Sequence, residues 1–124
     1  MALTFNTQDG TVRIPKNSDG ILKVGKKVDG VPADFVDGEK VYLQVKQSPT
    51  DTSPVINKEV TSFVDGEAQI QFVPSDTASL NAEDYYYDIW WTDLAGSNIR
   101  IYPENEADCD LPLFVICPVV SDIA

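Results

Sequence analysis

Asp-Gly recurs at Asp9-Gly10, Asp19-Gly20, Asp29-Gly30, Asp37-Gly38 and Asp65-Gly66, each time between apolar or alternating stretches. This dipeptide supplies the positive φ values of tight hairpin turns, so it predicts a series of strand reversals. The pieces between are short and β-rich. In "EKVYLQVKQ", Val41, Leu43 and Val45 face one way and Tyr42, Gln44 and Lys46 the other. "EAQIQFV" repeats the pattern with Ala68, Ile70 and Phe72 inward, and "VINKEVTSFV" is expected to pair with it as a hairpin. "TVRIP" and "GILKV" read as short strands, and Val31-Pro32-Ala33 and "SPTDTSP" as loops. One helical signal interrupts the series: "PSDTASL" offers Ser75 or Asp76 as an N-cap for a turn or two between sheets. Strands with one wet face point to antiparallel pairing. The expected fold is all-β, an antiparallel sandwich with one short helical connector, formed as a single domain over residues 1–124.

The densest segment is "DYYYDIWWTD". Period two divides Tyr85, Tyr87, Ile89 and Trp91 from Tyr86, Asp88 and Trp90. The first row carries no charge and is expected to pack the core; the second carries Asp88 and faces outward. Tyr85 follows the helical connector and stands where a corner tyrosine bonds back to upstream backbone. "TDLAGS" is a Gly-containing turn into "NIRIY", whose Ile99 and Ile101 are expected to continue the core face. Tyr86, Asp88 and Trp90 are the candidate contact residues. An outward Trp–Tyr pair suits a subunit interface, a covering loop or a sugar ring.

Bulk properties narrow the choice of partners. A chain of 124 residues with 43% apolar content buries a core without disulfide or metal staples. A net charge of -11 excludes the basic footprint of a nucleic-acid binder and disfavours anionic lipid. Residues 1–58 carry a balance of +1 and residues 59–124 one of -12, which leaves room for complementarity with a neighbouring copy or a basic partner. "MALTFNTQDG" lacks a secretion-signal pattern, and "LPLFVICPVV" is too short and too proline-broken to span a membrane. Synthesis in a bacterial cytoplasm is therefore expected, with Cys109 and Cys117 as free thiols. A hairpin disulfide between them is the alternative in an oxidising compartment.

A resemblance rests on "FVDGEAQIQFVPSDTASLNAEDYYYDIWWTDLAGSNIRI". It resembles the Ig-like N-terminal domains of phage baseplate upper proteins and related tail and fibre modules. The residues that carry it are Asp65-Gly66, Pro74, Asp76-Thr77-Ala78, Leu80, Tyr85, Tyr87-Asp88-Ile89, Asp93 and Gly96. The likeness covers about residues 38–102. Glu83 stands where the family has Gly, and "PENEADCDLPLFVICPVV" inserts an acidic loop before the last strand. The family often continues into further domains, whereas this sequence ends at Ala124 and reads as a stand-alone module. The resemblance implies an Ig-like sandwich in a virion, docking on other phage structural proteins and on itself.

Chemistry is sparse. The absence of histidine removes Ser-His and Cys-His nucleophile systems, and two cysteines alone make no zinc site. No phosphate-cradling Gly-rich loop precedes a helix. Carboxylates are abundant but sit mostly in turns, where Asp serves backbone geometry. Glu104, Glu106, Asp108 and Asp110 have calcium-like density but lack the Gly and final Glu of an EF-hand loop, so a solvated acidic loop is expected and no cofactor. The expectation is a non-enzymatic virion component of a tail, baseplate or fibre, docking through sheet faces or edges with Trp90 and Tyr86 as its contact side chains. A glycan-binding module using Trp90, Tyr86 and Asp88 is the alternative, and a secreted adhesion domain a third.

Overall fold

The computed structural model describes residues 3–5, 10–102 and 112–119. In chain order the elements are β1 (Thr4–Phe5), β2 (Val12–Pro15), β3 (Gly20–Val24), β4 (Lys26–Val28), β5 (Val31–Ala33), β6 (Lys40–Lys46), β7 (Ile56–Val60), β8 (Phe63–Val64), β9 (Glu67–Phe72), α1 (Pro74–Ala78), β10 (Asp84–Thr92), β11 (Asn98–Tyr102) and β12 (Leu113–Cys117). The fold is all-β. A seven-stranded sheet runs β1-β2-β12-β10-β6-β7, with β11 added on β10, and a three-stranded sheet runs β3-β9-β8. Strands β4 and β5 form a separate hairpin.

Both sheets contribute to one core. Ile14, Val41, Leu43, Val45, Tyr87 and Phe114 come from the large sheet, and Leu22, Ala68, Ile70 and Phe72 from the small one. The Phe72 and Phe114 rings meet across the sheets at 5.4 Å between centroids. Burial alternates along β6, β9 and β10 as period two demands. No helix among the described residues is long and apolar enough to cross a membrane.

The turn residues do specific work. Asp29-Gly30 and Asp65-Gly66 have positive φ at both positions, 53° and 78° in the first and 52° and 76° in the second. These are the two-residue turns that join β4 to β5 and β8 to β9. Asp19-Gly20 is different: the reversal before it uses Asn17 at φ 64°, and Gly20 is already the first residue of β3. A side chain at Gly20 would collide with Leu3, which explains a glycine in extended backbone.

Several expectations need correction. The β2–β12 pair is parallel, the one exception to antiparallel pairing among these strands. Residues 56–64 do not form one arm of a hairpin. β7 pairs with β6 in the large sheet, and only β8, after the break at Thr61-Ser62, pairs with β9. Val31-Pro32-Ala33 is a strand, tolerated with proline because its hairpin offers two edges. Ile99 is 36% exposed, because β11 borders only the far end of β10, while Ile101 does pack on the core.

The connector α1 is capped by Val73 rather than by Ser75 or Asp76. Pro74 takes the first helical position, and the Asp76 carboxylate reaches back to the Val73 N–H at 2.8 Å. Thr77 is fully buried, and its hydroxyl accepts the Asn17 N–H at 2.9 Å, tying the connector to the β2–β3 turn.

Two tyrosines fasten the sheet to its surroundings. Tyr85 donates its hydroxyl to the Asn81 carbonyl at 3.0 Å, the corner bond expected from its position. Burial, then the charge of neighbouring Glu83, raises the Tyr85 phenol above its usual pKa. The Glu83 carbonyl accepts the Ile116 N–H, and its carboxylate accepts from Gln47. Tyr87 donates to the Gly10 carbonyl at 2.6 Å. Gly10, at φ 75°, lies so close under Tyr102 that any side chain there would overlap the phenol.

Tyr87→Phe leaves the buried Gly10 carbonyl without this donor, so a loss of about 1–3 kcal/mol is expected. Tyr85→Phe removes a half-exposed bond, with an expected loss of about 1 kcal/mol. Urea unfolding midpoints at unchanged m-value give both numbers, and the ordering Tyr87 above Tyr85 is the test.

Candidate functional site on the outer face of the seven-stranded sheet

Strand β10 carries the site because its two faces differ so much. Tyr85, Tyr87, Ile89 and Trp91 are 2%, 2%, 4% and 8% exposed and pack inward as expected. Tyr86 and Asp88 are half-buried and Trp90 is 37% exposed, on the opposite face. The Trp90 indole N–H donates to the Asp88 carboxylate at 2.9 Å, so these side chains are fixed relative to each other before any partner arrives.

The neighbouring strand β6 completes the surface. In the ladder Trp90 stands opposite Tyr42, Asp88 opposite Gln44, and Tyr86 opposite Lys46. Residues directly opposite on one face have Cβ atoms about 4.5–5.5 Å apart, within side-chain contact. The resulting pattern is an aromatic pair, then a polar pair, then an aromatic beside a cation. Pro49 closes one side, and Thr92 with Asn98 closes another, the Thr92 hydroxyl donating to the Asn98 side chain at 2.7 Å. Together they enclose an open groove of about 500 Å³.

The expected trio Tyr86, Asp88 and Trp90 is thus brought into one groove. Tyr42, Gln44, Lys46, Thr92 and Asn98 were not singled out by sequence reasoning. Alternation had placed the first three on the outward face of their strand, but only the register with β10 reveals that they meet the trio. The calcium-like carboxylates Glu104, Glu106, Asp108 and Asp110, together with Cys109, lie outside the described residues. Cys117 is half-buried at the end of β12 with a free thiol.

One charged cluster gave no sequence signal. Glu39 is 3% exposed, and both its oxygens lie within 3.0–3.1 Å of the Lys26 ammonium. The same carboxylate accepts the Val36 N–H at 2.8 Å and the Trp91 indole N–H at 2.6 Å. The Lys26 ammonium also sits 4.0 Å from the Trp91 ring centroid. The carboxylate is fully engaged, so its role is to clamp β4 and the 34–39 loop onto the inner face of β10. Burial pushes the Glu39 carboxyl up, but the donors from Val36, Lys26 and Trp91 outweigh it and hold the pKa below the usual range.

A lowered folded pKa gives a defined pH dependence. The stabilisation is present above the unfolded carboxylate value, about 4.3, and is lost as pH falls through the folded value. Glu39→Gln should cost about 3–5 kcal/mol at neutral pH, because Lys26 is left buried without its counter-charge. It should also flatten the acid limb of the stability curve, measured by urea unfolding between about pH 3 and 7.

Compared with protein-family models, curated proteins and solved structures, the chain finds no match, so the site's reading rests on its own geometry.

Proposed function

We propose that this chain is a non-enzymatic structural component of a bacteriophage or prophage virion, in a tail, baseplate or fibre, working by protein–protein assembly. The reading is supported by what the motif residues of the resemblance do. The Asp65-Gly66 turn, the Thr77 tie, the Tyr85 corner bond and the Asp93–Gly96 hairpin each serve the scaffold and none serves a reaction. Asp93 is typical: its Oδ1 accepts the Ala95 and Ser97 N–H groups, and Gly96 turns at φ 86°. The strand order adds support for an Ig-like sandwich. β3-β9-β8 correspond to strands B, E and D, and β12-β10-β6-β7 to G, F, C and C′.

The observation that carries assembly is a set of exposed aliphatic side chains on the β4–β5 hairpin and on the loops around Val36, Val64 and Leu94. Val28, Val31, Val36, Val64 and Leu94 are 46%, 63%, 48%, 52% and 66% exposed. The loops of Val36, Val64 and Leu94 meet: Gly38 abuts Leu94, Gly66 abuts Asp34, and the Phe35 N–H donates to the Gly66 carbonyl. Loops gathered on a rigid sheet end are where such domains put their contacts. Solvated aliphatics of this density favour burial against another subunit. Asp29, Asp37 and Asp65 are exposed beside these side chains in the sequence and would favour a partner with basic edges, a neighbouring copy or another virion protein.

A carbohydrate-binding module is the second reading, favoured by one observation, the aromatic groove on the outer sheet face. It needs a different surface from the assembly reading, so the two are separable by mutation.

Light scattering on a size-exclusion column at millimolar protein should give a mass above that of the monomer. The double variant Val31→Asp/Leu94→Asp should return the monomer mass without altering the melting temperature. A wild-type protein that stays strictly monomeric counts against self-assembly.

A further inference from the structure

We infer that the groove between β6 and β10 is a binding site for a neutral oligosaccharide, lying across Trp90 and Tyr42 at one end and Tyr86 at the other. The inference rests on the carbohydrate-binding reading and names its ligand class; it stands apart from the virion reading, since it uses the sheet face and not the exposed loops.

The ligand class follows from what the groove offers. It lies on a sheet face, where the backbone N–H and C=O groups of β6 and β10 are engaged in the ladder. Recognition therefore falls to side chains, and a peptide has no edge to extend, which disfavours strand addition. The walls at either end are aromatic planes. Trp90 and Tyr86 are four residues apart on one strand, roughly 13 Å, longer than a single small ring and matched to a short chain of rings. Between them lies a polar row, Asp88 and Gln44.

A flat molecule with apolar faces and a hydroxyl rim fits this alternation. Its C–H faces lie on the indole and phenol rings, and its hydroxyls reach the carboxylate and carboxamide between them. Asp88 uses one lone-pair site on the Trp90 indole N–H and keeps acceptor capacity for hydroxyl donors. Gln44 both donates and accepts. The same Asp88–Trp90 bond holds the indole at a fixed angle, so little rotamer entropy is lost on binding. The groove lining carries one anionic and one cationic side chain, Asp88 and Lys46, so it holds no cluster of cations for a phosphorylated or sulfated ligand. A purely apolar ligand would leave the central polar row desolvated without partners.

The test is a ¹H–¹⁵N NMR titration with neutral glucose, xylose and N-acetylglucosamine tetrasaccharides, supplied up to the order of 10 mM. Saturable shifts are expected at the Trp90 indole N–H, the Gln44 side-chain amide and the β10 amides. Trp90→Ala and Gln44→Ala should each weaken binding at least tenfold, while Lys23→Ala, on the small sheet, should leave it unchanged. Trp90 and Gln44 lie on the outer face, and unchanged core amide spectra verify that the variants fold. The inference is overturned by an absence of shifts with all three sugars, by shifts centred elsewhere, or by equal affinity in Trp90→Ala. Dissociation of an oligomer by Trp90→Ala would also overturn it, by assigning the groove to a subunit. Light scattering on the Val31→Asp/Leu94→Asp protein reports on the assembly reading separately, so failure of one is not failure of the other.

Discussion

The core and the outer groove both depend on the two-residue period of β10. Nine residues long, it is the longest strand among the described residues and pairs with β6, β11 and β12. Its inward row of Tyr85, Tyr87, Ile89 and Trp91 supplies the centre of the core. A shift of one residue would send Asp88 and Trp90 inside and three large rings into water. Register is therefore fixed more by the chemistry of this strand than by any single turn.

The inward rings are also where polar groups are tied down. Tyr87 reaches back to Gly10, Tyr85 to Asn81, and Trp91 to Glu39. Each is a large apolar surface with one polar atom that finds a partner, which is how aromatic side chains are tolerated in a dry interior. No buried side-chain nitrogen or oxygen among the described residues is left without a partner. The Lys26–Glu39–Trp91 cluster extends this logic to a charge pair, and through it the β4–β5 hairpin and the 34–39 loop are anchored to the same strand. The outward row is thereby free to be selected for contact, since it carries none of these attachments.

How much of this was legible beforehand differs by feature. The alternation of β6, β9 and β10 was readable because side-chain period is a local property. The corner role of Tyr85 was readable because it depends on a residue four positions away. Partner choice was not. The Asp65-Gly66 turn sends β8 to β9, but nothing local breaks the strand at Thr61-Ser62 and sends β7 to β6 instead, and nothing local makes β12 run parallel to β2. The groove was half legible for the same reason: Tyr86, Asp88 and Trp90 announced themselves by density, but Tyr42 and Gln44 join them only through register. Glu39 gave no sign at all, because a carboxylate after an Asp-Gly turn reads as solvated until its donors are in place.

Core and groove are separated by which way the two adjacent tryptophans point, and single-tryptophan fluorescence measures that directly. In Trp91→Phe the remaining Trp90 should emit near the wavelength of a solvated indole and be quenched readily by acrylamide. In Trp90→Phe the remaining Trp91, lying under Lys26 and Phe35, should emit to the blue and resist quenching. A protected Trp90 beside a quenchable Trp91 in folded protein would reverse the faces of β10 and contradict both the core and the groove.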